Sequence, residues 1–309
     1  MLFTHVSVMA REVMDLLRPE TRKRYLDGTL GGGGHAEEIL IHSSPDGQVL
    51  GFDLDDEALD AARQRLSRFG DRLVLRQANF AAAGAILNEI GWLGVDGIIL
   101  DLGVSSHQFE SPERGFSFRG KARLDMRMDR RQSLDAYQIV NTFSAPELER
   151  ILRQYGEEPQ GRRIALRIAA ERKMKTIDTT EELADIVARI KGKRERGHHP
   201  ATQTFQALRI AVNQELQNLE RFLESGYELL EPKGRMVIIS FHSLEDRLVK
   251  RAFRKWSRNC LCPPRTPTCQ CGWNQKVKLL MTRPLSPSPS ELDANPRARS
   301  AKLRAVERI

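Results

Sequence analysis

The feature of the sequence that most constrains the fold is an alternation, over the first hundred residues, of short apolar runs with amphipathic stretches. The apolar runs have the length and composition of strands, and the stretches between them have the apolar spacing of helices. The four predicted strands are RYLDGTL, GQVLGFDLD, LVLRQANF and DGIILDLG. Because strands that alternate with helices form a parallel sheet covered on both faces, the sequence predicts a doubly wound α/β fold.

A change of pattern divides the chain. After Gly103 the strands give way to a polar, arginine-rich stretch and then to helical patterns, and a strand pattern returns at GRMVIISFH. A chain of 309 residues is long enough for two hydrophobic cores. We therefore expect an all-helical domain over residues 110–212, inserted at a loop of an α/β domain that residues 1–109 and 213–309 form.

The last third of the chain predicts further elements. One helix is expected to run continuously from Thr202 to Leu230. KVKLLMTRP is predicted to be a sixth strand, and SAKLRAVERI a last strand at the edge of the sheet. The proline and serine content of PLSPSPSELDANPRARS, which lies between them, predicts an extended, mobile loop.

Glycines and polar side chains follow the predicted strands at the positions where ligands of open sheets bind. Gly31–Gly34 and His35 follow the first strand, Asp53 ends the second, Phe80 follows the third and Asp101 ends the fourth. An acid about 20 residues after a glycine loop is placed to bind the hydroxyls of a ribose. The coincidence of these residues at one edge predicts a cofactor that contains a nucleoside, although each residue alone is also typical of turns and helix caps.

Two classes of cofactor fit these residues. Gly31, Gly33 and Ala36 match the dinucleotide spacing G-x-G-x-x-A, which is compatible with a nicotinamide or flavin enzyme. S-adenosylmethionine needs a similar ribose acid but lacks a pyrophosphate. The further carboxylates Asp27 and Asp101 favour S-adenosylmethionine, because they would repel a pyrophosphate but suit a sulfonium and an amino group.

The charge of the chain suits a polyanionic partner. Lys and Arg number 49 against 41 Asp and Glu, which gives a net charge of +8. Two basic runs, Arg114–Arg131 and Arg247–Arg258, contain aromatic residues and predict RNA binding, with a solvated helix face as the alternative. The aromatic residues of these runs are Phe116, Phe118, Phe253 and Trp256.

The location is predicted from what the chain lacks. No apolar run approaches the roughly 18 residues that a membrane-spanning helix needs, and the N-terminus carries charged residues where a secretory signal would be apolar. We therefore expect a cytoplasmic protein without a membrane partner.

All four cysteines lie in one short segment, with the pattern C-x-C-x6-C-x-C. They are Cys260, Cys262, Cys269 and Cys271. Four thiolates suffice for tetrahedral zinc, but structural zinc sites usually separate the members of each pair by two or more residues. We expect no catalytic metal, and structural zinc and reduced thiols remain alternatives.

Six blocks of the sequence resemble a known family. They are DGTLGGGGHA, DLGVSS, ERGFSF, LDMRMD, HPATQTFQALRI and SFHSLEDR. In content and order they are similar to the signature blocks of the ribosomal RNA small subunit methyltransferase H family (RsmH, formerly MraW). The resemblance implies a Rossmann-like class I S-adenosylmethionine-dependent methyltransferase sheet with an inserted helical domain that recognises the substrate. It further implies methyl transfer to the N4 exocyclic amine of a cytidine in the decoding region of 16S rRNA, within the small ribosomal subunit.

The resemblance also implies the cofactor-binding residues. Carried over position by position, they are Gly33, Gly34, His35, Asp53, Phe80, Asp101 and Gln108. One departure from the family is His107, where many relatives have proline before that glutamine. The oligomeric state stays open, with a homodimer as one option.

Asp101 is the predicted catalytic residue, because its carboxylate can accept a hydrogen bond from the amine or from the cofactor. A stacking ring is expected from Phe109, Phe116 or Phe118. A second candidate set is Ser240, Phe241 and His242 after the fifth strand, and the alternative there is a helix cap by Ser243 with a packed His242. An oxidoreductase and a non-catalytic RNA-binding assembly factor are the competing functions.

Overall fold

The protein divides into two compact units. The computed structural model describes residues 7–105, 111–118, 120–192, 199–263, 266 and 268–309. The sheet unit contains Met1–Gly103 and Leu216–Ile309, and the helical unit contains Val104–Glu215. The helical unit is slightly wider at both ends than the expected 110–212. Among the described residues, no helix combines the length and the apolar content that crossing a bilayer requires.

The sheet unit is built on one sheet. Its strands are β1 (Arg24–Asp27), β2 (Gln48–Asp53), β3 (Leu73–Gln77), β4 (Val95–Asp101), β5 (Leu230–Ser240), β6 (Val277–Leu279) and β7 (Lys302–Arg308). Their order is β3-β2-β1-β4-β5-β7-β6. Strands β1 to β5 are parallel to one another, whereas β7 is antiparallel to both β5 and β6. The α/β class predicted from the sequence is therefore confirmed.

Helices connect the strands and cover both faces of the sheet. The helices of the sheet unit are α1 (Ala10–Leu17), α2 (Gly34–His42), α3 (Asp56–Arg65), α4 (Ala83–Glu89), α10 (Glu215–Ser225), α11 (Ser243–Trp256) and α12 (Pro289–Ala294). The helical unit contains α5 (Ala136–Thr142), α6 (Ala145–Gly156), α7 (Gly161–Glu171), α8 (Thr180–Lys191) and α9 (Thr202–Asn213). In β4 the consecutive residues Ile98, Ile99 and Leu100 are all fully buried. A strand can bury side chains on both of its faces only where helices cover both sides of the sheet.

The C-terminal strand does not lie at the sheet edge, so this prediction is wrong. Strand β7 pairs with β5 on one side and with the short β6 on the other, and β6 forms the edge. The alternating pattern suggested an exposed face, but Leu303, Arg304, Ala305 and Val306 are all buried. The Arg304 guanidinium is accommodated because its Nε and Nη2 donate to the two carboxylate oxygens of Asp246, at 2.7 and 3.2 Å.

Two other predicted elements differ from the structure. The continuous helix predicted from Thr202 to Leu230 is divided into α9 and α10 by Gln214, which has a left-handed backbone conformation (φ 51°). Next to this break, the Asn213 side chain donates to the Met126 carbonyl at 2.8 Å, which fixes the end of α9. The segment predicted as an extended loop contains α12, because Ser288 accepts a hydrogen bond from the Glu291 amide and caps the helix.

The helical unit has a hydrophobic core of its own. Helices α5 to α9 contribute their apolar faces to it, and the buried residues include Ile139, Leu152, Ile168 and Val187. Helix α8 begins with a capping box between Thr179 and Glu182. A separate core is what an independently packed domain requires.

The order of the strands places the candidate site. Strand β1 pairs with β2 on one side and with β4 on the other, so the chain connections diverge between β1 and β4. Ligands of open α/β sheets bind at such a switch point, beyond the carboxyl ends of the strands. Asp27, Asp53 and Asp101 are the last residues of β1, β2 and β4. The three carboxylates therefore lie at the same edge.

Candidate active site

The glycine loop joins β1 to α2 by backbone conformations that favour glycine. Gly31 and Gly33 have φ angles of 50° and 79°. A Cβ at Gly33 would lie 2.8 Å from Cδ1 of Leu66, so a side chain there would also clash with a neighbouring residue. The Gly31 amide donates to Oδ2 of Asp53 at 2.8 Å. This hydrogen bond ties the loop to the end of β2.

Helix α2 begins directly after this loop without a side-chain cap. Gly33 occupies the cap position, and no side chain among the described residues accepts a hydrogen bond from the first turn. The first amides of a helix have no partner within the helix and carry partial positive charge. The start of α2 at Gly34 and His35 can therefore bind a carboxylate.

Asp27, His35 and Asp101 form a cluster between β1, α2 and β4, in which Asp27 and His35 are buried and Asp101 is partly buried. Nε2 of His35 lies 3.5 Å from Oδ2 of Asp101, which is an ion-pair distance without the geometry of a hydrogen bond. Thr29 braces the cluster, since its amide donates to Oδ1 of Asp27 at 3.2 Å and its Oγ1 accepts from the Asp101 amide at 2.6 Å. Oδ2 of Asp27, Oδ1 of Asp101 and both ring nitrogens of His35 have no hydrogen-bond partner among the described residues.

The protonation of this cluster follows from burial and from its own charges. Burial raises the pKa of Asp27 to about 7, against the opposing effects of His35 and the Thr29 amide, and Asp101 raises it further. For His35, burial lowers the pKa, but Asp101 and Asp27 outweigh it and the net pKa is raised. Two acids beside one histidine give a site that favours positive charge. The unpaired oxygens are suited to a cationic ligand with N–H donors.

Asp53 has the arrangement expected of an acid that binds hydroxyl groups. Its Oδ2 accepts from the Gly31 amide at 2.8 Å and its Oδ1 from the Asp55 amide at 2.9 Å. Burial raises the pKa of Asp53 to about 6, although these amides and that of Leu54 oppose the shift. A carboxylate has about four acceptor positions. Asp53 therefore retains acceptor capacity for a hydroxyl donor.

Phe80 lies beyond β3, at the same edge of the sheet. Its ring meets Phe222 edge to face, with centroids 5.7 Å apart. The neighbouring Asn79 caps the following turn by accepting from the Ala81 amide at 2.9 Å. A Cβ at Gly28 would lie 2.9 Å from Cβ of Phe80, so a glycine is needed for Phe80 to lie beside β1. Phe80 is half-buried and can provide a flat apolar surface for a base.

The start of α11 shows which residue caps this helix. Oε2 of Glu245 accepts from the amides of Phe241 at 2.8 Å and His242 at 3.3 Å, and Nδ1 of His242 accepts from the Glu245 amide at 3.5 Å. The cap is therefore His242, and the predicted alternative of a cap by Ser243 is wrong. This role in the helix start does not support His242 as a group that acts on a substrate.

Phe241 belongs to the second candidate set from the sequence, and the structure places its ring beside the end of β4. A Cβ at Gly103 would lie 3.2 Å from Cδ2 of Phe241, so the ring lies against the backbone two residues after Asp101. Gly103 has a φ of 141°, and Phe241 is only partly buried. The only indication of this contact in the sequence is that the predicted strands β4 and β5 both end near Gly103 and Phe241. Their pairing, with Asp101 opposite Ile239, brings the two segments together.

Four aromatic residues predicted to contact RNA are instead occupied within the protein. Phe116 is buried in the core of the helical unit, and Phe118 stacks on His199 with ring centroids 4.4 Å apart. In α11, Phe253 and Trp256 are buried in the core of the sheet unit. The prediction that these rings interleave with the basic residues at the surface is therefore wrong for Phe116, Phe253 and Trp256, which are buried. Gln108, His107 and Phe109 lie outside the described residues.

The two basic runs differ in their surroundings. In the first, Arg127 forms a bidentate pair with Asp125, and Arg131 one with Asp129, so acids within the run offset its charge. In the second, the basic side chains lie along α11 and just after it. They are Arg247, Lys250, Arg251, Arg254, Lys255 and Arg258, and all but the half-buried Lys250 are exposed. The second run is therefore an amphipathic helix with a basic solvent face.

Comparisons with known proteins identify the family. The sequence model of the MraW methylase family matches residues 2–309. The chain belongs to the MraW methylase family. A Geobacter sp. (strain M21) protein named ribosomal RNA small subunit methyltransferase H is 51% identical over 309 residues, which cover 99% of each chain. A protein of the same name from Heliobacterium modesticaldum is 49% identical over 312 residues and the full length of both chains.

Membership of the MraW methylase family confirms the resemblance that the sequence motifs indicated. It favours a methyltransferase over the oxidoreductase, with S-adenosylmethionine as the methyl donor, and it agrees with the seven-stranded α/β sheet. Among solved structures, an rRNA methylase from Streptococcus thermophilus aligns over 97% of this chain and 93% of that chain, with a TM-score of 0.42 and 11% identity. A similarity this low adds no support to the family assignment.

Proposed function

We propose that this methylase transfers a methyl group from S-adenosylmethionine to the N4 exocyclic amine of a cytidine in the decoding region of 16S rRNA. The names of its full-length relatives support a ribosomal RNA of the small subunit as the substrate. The observation that carries the proposal is the convergence of Asp27, Asp53 and Asp101 at one sheet edge, with His35 and Phe80 beside them. Since ribosomal RNA is the substrate, we infer a cytoplasmic location.

The residues at this edge fit the parts of the cofactor. Asp53 would bind the ribose hydroxyls, and Phe80 would pack against the adenine. The uncapped start of α2, at Gly33 and Gly34, would bind the carboxylate of the methionine part. The unpaired oxygen of Asp27 suits its amino group. The bound cofactor supplies an electrophilic methyl group on a sulfonium.

Two further residues belong to the proposed cofactor site. His35, at the start of α2, would hold the Asp101 carboxylate in place through its ring, 3.5 Å away. Gln108 is proposed from the family pattern alone.

Asp101 is the proposed catalytic residue. The amine of cytosine is a weak nucleophile because its lone pair is delocalised into the ring. Oδ1 of Asp101 has no partner among the described residues, so it can accept a hydrogen bond from the amine. This hydrogen bond would favour the pyramidal geometry that the nitrogen needs for attack, and would hold it in line with the methyl group.

Phe241 is the proposed stacking residue for the target base. Its ring lies against Gly103, and β4 and β5 pair with Asp101 opposite Ile239, two residues before Phe241. A base that stacks on this ring would present its amine near Asp101. Stacking on an aromatic ring is a common way to hold a base outside a helix. The helical unit is proposed to recognise the surrounding RNA, together with the basic face of α11.

The test is transfer of labelled methyl groups to small ribosomal subunits and to bare 16S rRNA, both from a strain that lacks the enzyme. Nucleoside mass spectrometry should find N4-methylcytidine, and the better acceptor identifies the substrate state. Asp101→Asn should lower the rate of product formation by about 100-fold or more, whereas Asp60→Asn, at an exposed position of α3, should not. Methylation at a carbon or at another base would contradict the proposed target. Cofactor binding without any transfer would favour the assembly factor.

A further inference from the structure

The four cysteines form a cluster in the segment that joins α11 to β6. Their Sγ atoms all lie within 4.8 Å of one another. Sγ of Cys260 lies 3.5 Å from that of Cys269 and 3.7 Å from that of Cys271, and the last two are 3.6 Å apart. Cys262 completes the cluster. The chain therefore folds back so that both Cys-x-Cys pairs present their sulfur atoms to one point.

The spacing of the sulfur atoms identifies the kind of bonding that suits them. A disulfide would place two sulfur atoms about 2.05 Å apart. Four sulfur atoms about 2.3 Å from a tetrahedral zinc ion lie about 3.8 Å from one another. The separations of 3.5 to 3.7 Å are close to those of the zinc tetrahedron.

Backbone amides of the same segment point at the sulfur atoms. The Leu261 amide donates to Sγ of Cys271 at 3.3 Å, and the Gln270 amide donates to Sγ of Cys262 at 3.3 Å. The Cys262 amide donates to Sγ of Cys260 at 3.4 Å. Hydrogen bonds to sulfur favour the thiolate over the thiol and support the orientation of metal ligands.

The segment has no hydrophobic core that could hold this arrangement. None of its described residues from 259 to 272 is buried. Its two ends are joined by hydrogen bonds, from the Lys276 amide to the Trp256 carbonyl at 2.9 Å and from Nε1 of Trp273 to the Arg258 carbonyl at 3.1 Å. Between these ends, a segment without buried apolar residues needs a cross-link or a metal ion to keep one conformation.

We propose that Cys260, Cys262, Cys269 and Cys271 bind one Zn²⁺ as four thiolates. Binding releases the four thiol protons to solvent, so the site carries two negative charges. Four protein ligands complete a tetrahedron and leave no position for a water or a substrate, so the site is structural. Its effect is to fix the segment that follows the basic helix α11.

The proposal is tested first by the metal content of the full-length protein, purified without chelators. Mass spectrometry of the elements should find about one zinc per chain. The double variant Cys260→Ser and Cys271→Ser should retain less than about a tenth of this. Gln270→Ala is the matched control, because it changes the residue between two cysteines but keeps the backbone amide. Circular dichroism checks that the sheet unit of each variant is folded.

Cobalt provides a second readout that does not depend on activity. After removal of zinc, one equivalent of Co²⁺ should produce the visible bands of a tetrahedral thiolate site in the wild type and in Gln270→Ala, but not in the double variant. Three results would overturn the proposal. They are a wild-type protein that binds neither metal, equal zinc in all three proteins, and iron or a disulfide in place of zinc in protein purified anaerobically.

Discussion

Burial and charge act against each other at Asp27, His35 and Asp101. Taking Asp27 out of water raises its pKa to about 7, whereas His35 favours its ionised form. A cationic group at the unpaired oxygens would lower the pKa of Asp27 again, because it would stabilise the carboxylate. Binding of a cationic cofactor is therefore expected to release protons when it occurs near neutral pH.

Asp101→Asn is expected to lower kcat by about 100-fold or more. The reason is that the neutral asparagine side chain lacks the negative charge of the carboxylate that accepts a hydrogen bond from the cytosine amine. It also removes the charge that faces His35 at 3.5 Å. Steady-state kinetics with small subunits measure the catalytic role of Asp101, and calorimetric titration of S-adenosylmethionine measures its role in cofactor binding. Asp60→Asn is the control for the loss of one surface charge. A variant that keeps wild-type kcat would exclude Asp101 as the catalytic residue.

Asp27→Asn is expected to reduce the pH dependence of stability. The pKa of Asp27 in the folded protein is raised to about 7, so between about pH 4 and 7 the folded state keeps a proton that the unfolded state has lost. The free energy of unfolding therefore falls as the pH rises through this window. The raised pKa values of Asp53 and His35 act in the same direction. Urea unfolding at several pH values should show a smaller fall for the variant, and an equal fall would contradict the assignment.

At the level of elements, the loop between β1 and α2 combines two requirements for glycine. Gly33→Ala would place a Cβ 2.8 Å from Leu66 and would strain a residue whose φ is 79°. The matched control is Gly91→Ala, since Gly91 has a φ of 74° but no atom within 4 Å of the added Cβ. We expect Gly91→Ala to cost about 1 kcal/mol and Gly33→Ala about 1 to 3 kcal/mol more. Thermal unfolding measures this difference.

The same pair of variants tests the role of the loop in binding. Only Gly33→Ala is expected to weaken S-adenosylmethionine binding, by about 10-fold or more, because it moves the start of α2. Calorimetric titration of both variants is the measurement. Equal affinities would show that this loop does not contact the cofactor.

The sequence predicted the elements whose patterns depend on local periodicity. It identified β1 to β4 and the acids that end three of them, because a parallel sheet exposes only its strand ends. It misplaced β7, since the buried Arg304 depends on a distant Asp246 that no local pattern reveals. It could not distinguish Phe241 from Ser240 and His242 as a candidate, because the contact of Phe241 with Gly103 arises only when β4 pairs with β5.

On the scale of the whole molecule, positive charge is distributed unevenly. The net charge is +8, yet acids neutralise part of the first basic run through the pairs of Arg127 and Arg131. Helix α11 instead buries its aromatic side and exposes its basic side. Arg251 and Arg254, which are exposed on this side, can therefore meet phosphates without any change in the core. The affinity of the enzyme for RNA should depend on this face more than on the total charge.

Replacement of Arg251 and Arg254 by glutamate is expected to raise KM for small subunits by about 10-fold or more and to leave kcat nearly unchanged. Both residues are exposed on α11, so the fold should keep its stability. The salt dependence of KM should also become shallower, because fewer counterions are released from the RNA when fewer phosphates are neutralised. Arg11→Glu, at an exposed position of α1, is the control for charge alone. If the Arg251 and Arg254 double variant and the Arg11→Glu control bind subunits equally at every salt concentration, the basic face of α11 does not contact RNA. The substrate must then be held by other parts of the enzyme.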